Sequence, residues 1–161
     1  MVRVIVVLVL AAIPGLGRAD PAPRLLVAVQ ERDAVDQIVL RNTGDCALAS
    51  GHLVLDMRAS RGSVGIDTAV GGRGTKDAWP VRVFTGPVRL ARPVADGAQR
   101  LGLTLDRLAP GAKARITLDV DNERAWVRAG RVSIRPEDLR DSRAIFTPES
   151  GAPAPSTVPM G

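Results

Sequence analysis

Tyrosine is absent from this chain, phenylalanine and tryptophan number two each, and there is one cysteine and one histidine in 161 residues. Each shortage excludes something. A single cysteine, Cys46, leaves no internal disulfide. One Cys and one His cannot fill a tetrahedral zinc shell. Any nucleophilic triad or dyad would have to use His52, with Cys46 shortly before it across a turn. Such pairs need a third orienting group and a pocket. The simpler reading makes Cys46 a small hydrophobe or partly exposed thiol, and places His52 at a strand start. No catalytic residue is assigned, and the chain is read as a non-enzyme.

Lysine is scarce too: only Lys76 and Lys113 occur, and the other basic side chains are arginines. They are scattered along the chain (Arg82, Arg89, Arg92, Arg100, Arg107, Arg115, Arg124, Arg128). Nucleic-acid binders gather such residues on one face and add stacking aromatics. The composition therefore argues against a nucleic-acid partner.

The one long apolar run is Val4–Ile13, and it is too short for a bilayer, which needs about 20 residues. Met1-Val2-Arg3 gives it a positive start, Pro14-Gly15 breaks it, and Gly17-Arg18-Ala19 places small residues at −3 and −1 of a cut before Asp20. That is the layout of a secretory signal peptide over 1–19. The mature chain is expected to be exported, periplasmic or extracellular, with no membrane span. Arg3 and Arg18 leave with the signal, so the net charge falls from +5 to +3. So small a charge supplies little counterion-release affinity for nucleic acid. The remaining length suits one domain with a real core.

What is abundant is short period-2 alternation. Ile38 and Leu40 alternate with Gln37, Val39 and Arg41. Leu53, Leu55 and Met57 follow, then Val64 and Ile66, then Val81 and Val83 against Arg82 and Phe84. Leu101, Leu103 and Leu105 alternate with Gly102 and Thr104; Ile116, Leu118 and Val120 with Thr117 and Asp119. Arg24–Gln30, Val132–Arg135 and Arg143–Thr147 complete the set. Runs this short, punctuated by Gly, Pro, Asn and Asp, predict antiparallel strands. About 7–9 of them predict an all-β, immunoglobulin-like antiparallel β-sandwich over residues 24–148. Pro136-Glu137-Asp138-Leu139 predicts one helical turn.

Gly71–Thr75 reads as a loop, since it lacks the strand-before, helix-after setting of a phosphate loop. Residues 149–161, including Pro/Ala/Ser-rich Gly151–Gly161, predict a disordered tail.

The acidic residues carry the one candidate site. Asp119 and Asp121 share a strand face and are followed by Asn122 and Glu123. Asp119, Asp121 and Asn122 are the candidate calcium ligands, with Asp67 and Asp45 as candidate cross-loop partners. The spacing is not an EF-hand, and Asp-Asn at a strand end is ordinary turn chemistry. Arg115, Arg124 or backbone donors offer the alternative neutralisation, and the arginine content favours it.

One ordered set of segments carries a resemblance. Arg41-Asn42-Thr43-Gly44-Asp45-Cys46, Leu53-Val54-Leu55-Asp56, Leu108-Ala109-Pro110-Gly111, Thr117-Leu118-Asp119-Val120-Asp121 and Val132–Phe146 follow one another in that order. The set resembles small exported alphaproteobacterial immunoglobulin-like proteins labelled "aggregation factor core". The resemblance implies adhesion and brings no catalytic residues with it. Asp121-Asn122-Glu123 departs from it, since more aspartate is typical there. The expected function is a cell-surface or periplasmic adhesion module that binds another cell-envelope or extracellular macromolecule. The alternatives are a calcium- or small-ligand-binding module and, behind it, an enzyme using acidic residues.

Overall fold

A computed structural model describes residues 3–8, 24–31, 35–71, 79–122, 134–149 and 156–160. Ten strands lie between Leu25 and Pro148: β2 Leu25–Glu31, β3 Asp36–Asn42, β4 Gly51–Asp56, β5 Val64–Ile66, β6 Arg82–Thr85, β7 Val88–Leu90, β8 Arg100–Leu105, β9 Lys113–Leu118, β10 Val120–Asn122 and β11 Ser142–Pro148. β1 Arg3–Leu8 and β12 Ser156–Met160 lie in the stretches the sequence assigns to the signal and the tail. All pairings between the strands are antiparallel. One sheet runs β1-β2-β3-β9-β6, the other β12-β11-β4-β8-β7, and β5 and β10 form a separate pair. The expected all-β antiparallel sandwich is what the chain forms.

The alternation explains the core. Ile38 and Leu40 of β3, with Ala114, Ile116 and Leu118 of β9, come from one sheet. Leu53 and Leu55 of β4, with Leu101, Leu103 and Leu105 of β8, come from the other. All are buried in a single cluster, so two half-apolar sheets cover each other. Leu103 and Ile116 are wholly inaccessible.

β8 and β9, consecutive in the chain, belong to different sheets. The Pro110-Gly111 turn between them is therefore a corner between layers. Pro sets its own φ, and Gly111 supplies φ +73°, a left-handed value that glycine adopts without strain. Asn42, at the end of β3, fastens this corner: its amide donates to the Cys46 carbonyl at 2.7 Å and the Leu108 carbonyl at 3.0 Å.

Pro136–Leu139 is the expected helical turn, a 3-10 turn with Asp138 accepting the Arg135 N–H at 2.8 Å. The Val81/Val83 alternation has a different outcome from the one expected. β6 is an edge strand, all four of its residues are exposed, and its register against β9 shifts between Val83 and Thr85. Val81, just before β6, is partly buried against the core, and Val83, opposite buried Ile116, takes the core side but is left uncovered, so alternation there marks the inward face without marking burial. Tail residues Ser156–Met160 pair with the β11 edge through backbone groups, which needs no apolar pattern. The expectations for Gly72–Thr75, Glu123, Arg124, Val132, Ser133 and Gly151–Pro155 lie outside the described residues.

Candidate metal centre

The pairing of β5 with β10 aligns Val64 with Asn122, Gly65 with Asp121 and Ile66 with Val120. One step on, the Asp67 N–H donates to the Asp119 carbonyl at 3.0 Å, extending the ladder. Residues directly opposite in such a ladder share a face, and so do residues two apart. Asp67, Asp119 and Asp121 are thus forced onto one face. Gly65, opposite Asp121, adds no side chain there.

A carboxylate oxygen from each of the three lies within 4.8 Å of the other two. Asp67 and Asp121 are fully buried and Asp119 is half-buried. Calcium–oxygen bonds of about 2.3–2.6 Å set an oxygen–oxygen span of up to about 4.6–5.2 Å across one ion, so the triad has calcium dimensions.

Asp67 sits in an unfavourable electrostatic setting. Its Oδ1 accepts the Ala69 N–H at a long 3.4 Å, while Oδ2 is buried with no hydrogen-bond donor. Burial pushes its carboxyl up to about 6; the neighbouring Asp96 carboxylate, which a protonated Asp67 can bond, adds to the rise, as do the charges of Asp96 and Asp121. The Ala69 N–H opposes them. Asp96 is held there by the Thr68 and Ala69 N–H groups, which donate to its Oδ1 at 2.9 and 3.2 Å.

Of the residues named from sequence, Asp119, Asp121 and the cross-loop candidate Asp67 come together. Asn122 does not join them. It is the next residue along β10, so it faces the other way, and its amide donates to Asp138 at 3.0 Å. Asp45 is exposed in the turn after β3 and lies outside the group. Among the described residues Arg115 makes no ion pair with Asp119 or Asp121; it is exposed on β9, pointing away from the core. Cys46 is a free, half-buried thiol, and His52 is exposed on β4. Sequence reasoning missed Asp96. It reaches the site only because Gly97 N–H and Ala98 bond to Ile66, a contact between distant loops with no local signature.

The chain is thus an antiparallel β-sandwich with a compact acidic triad on its short two-stranded unit. No protein family, no curated protein and no solved structure matches it.

Proposed function

We propose that this chain is an exported, non-enzymatic β-sandwich interaction module that carries a calcium-class cation between Asp67, Asp119 and Asp121. One observation carries the cation reading: ionised Asp67 buries an oxygen, Oδ2, with no donor, beside two further carboxylates. A buried charge in that position is costly unless a positive group meets it. The donors are all hard carboxylate oxygens, the set that suits calcium over zinc or copper.

Export rests on the signal-like layout of residues 1–19, and adhesion on what the resemblance implies. Among the described residues no helix is long and apolar enough to cross a membrane.

Calcium titration followed by thermal melting tests the cation reading. At 100-fold its dissociation constant a single-site ligand stabilises a fold by about 2.7 kcal/mol, a shift of several degrees for a domain this size. The shift should vanish with chelator and in Asp121→Asn. An unchanged Tm at millimolar calcium overturns the reading.

A further inference from the structure

We infer that the outer edge of β6 is a docking strand for an extended acidic segment of a partner protein, in which apolar and acidic residues alternate. This goes beyond the cation reading and uses none of its residues.

β6 ends its sheet, so one side of its backbone meets no neighbouring strand among the described residues. Exposed edges of this kind accept an added strand through main-chain hydrogen bonds. Three of the four large hydrophobic side chains exposed among the described residues gather here: Trp79 at 39%, Val83 at 38% and Phe84 at 62% exposure. Val83 pairs with the fully buried Ile116, so it lies on the core side and forms the uncovered lip of the core. An apolar residue on an added strand would cover it. At the start of β6 a groove of about 570 Å³ opens between Pro80, Val81, Leu90, Ala91, Pro93 and Val94. It has room for one bulky apolar side chain.

The other face sets the sign of the partner. Arg82 pairs with Thr117, and Thr85 with Arg115, so Arg82, Arg115 and Lys113 share the outer face of β6 and β9. Neither strand contains an acidic residue. Alternate residues of an added strand would meet this row of cations, and carboxylates complement it. The same row disfavours a second copy of the chain, whose own Arg82 would join the like charges.

The test uses the full chain carrying Trp126→Phe, which leaves Trp79 as the only indole. The probes are a ten-residue peptide alternating valine with aspartate and one alternating valine with lysine. The acidic peptide should change Trp79 emission saturably, bind more weakly as salt rises, and slow amide exchange at Arg82–Thr85. The lysine peptide should do none of these. Arg82→Glu, at an exposed position, should weaken the acidic peptide about fivefold or more without lowering Tm. Phe84→Asp, also exposed, should weaken it as well. Equal binding of both peptides, binding of neither, or binding without slower exchange in β6 overturns the inference. So does a concentration-dependent dimer with the same amides protected, which would make a second copy the occupant. Calcium enters none of these measurements, so this inference and the cation reading fail separately.

Discussion

The side-chain amide of Asn42 donates to the carbonyl of Leu108 at 3.0 Å, joining the turn after β3 to the corner before β9. The same side chain donates to the Cys46 carbonyl and accepts the Gly44 N–H at 3.0 Å. Its backbone also accepts the Gly111 N–H and donates to Ala112. Asn42 is fully buried. Asn42→Ala would take the side-chain donor from the half-buried Cys46 carbonyl and leave the Leu108 carbonyl with only the Leu48 N–H, and the expected loss is about 1–3 kcal/mol by urea denaturation. Asn42→Asp should cost at least as much, since it keeps the acceptor, loses both donors and adds a buried charge. A loss under about 0.5 kcal/mol in Asn42→Ala would show that water satisfies the corner.

Leu103 and Leu105 from one sheet, and Ile116 and Leu118 from the other, fill the centre of the core. Each truncation to Ala should cost about 2–5 kcal/mol, the sum of lost transfer energy and the cavity left behind. Arg115→Ala, next to Ile116 on β9 but facing out, should change stability by less than about 0.5 kcal/mol. Similar costs at Arg115 and Ile116 would mean the register of β9 is wrong.

Gly86 carries the chain from β6 in one sheet to β7 in the other, at φ +95°. A Cβ there would come within 2.6 Å of the Ala114 Cα on β9. Both the φ and the contact oppose a side chain. Gly86→Ala should lower stability by about 1–3 kcal/mol. It should also raise amide exchange in β6 more than in β4, because the strain falls where β6 leaves its partner. Uniform exchange would place the strain elsewhere.

Period two carried most of this structure. It identified β3, β4, β8 and β9 with their inward residues, and β11 as a strand, because each has a packed face and a solvent face. It held only in part around β6: Val81 packs against the core and Val83 takes the core side, but Val83 lies uncovered at its rim. The sequence shows that Pro110-Gly111 turns the chain; whether β8 and β9 then pair or part depends on tertiary packing. For the acidic group, alternation alone placed Asp119 and Asp121 together, and applied one residue further it would have turned Asn122 away. Its inclusion came from counting oxygen donors along the chain without asking which face each one takes. Asp67 was reachable only as a candidate, and Asp96 not at all, since both depend on which loops meet.

The last prediction sets protons against cations at Asp67. Its folded carboxyl is pushed up to about 6 by burial first, then by Asp96 and Asp121. In the unfolded chain it titrates near its ordinary value of 3.8. Between these values the folded state holds the proton more tightly, so stability falls as pH rises through the window and the contribution is lost above about 6. In chelator, Tm should therefore be lower at pH 7.5 than at pH 5, beyond the trend of Asp67→Asn, which cannot ionise. Calcium must displace the same proton. Its stabilisation should be small at pH 5, grow through pH 6 and level off above it, with proton release near pH 5.5 measurable by calorimetry in buffers of different ionisation enthalpy. Calcium stabilisation that is equal at pH 5 and 7.5, with no proton released, would remove Asp67 from the ligand set and leave its buried Oδ2 to water.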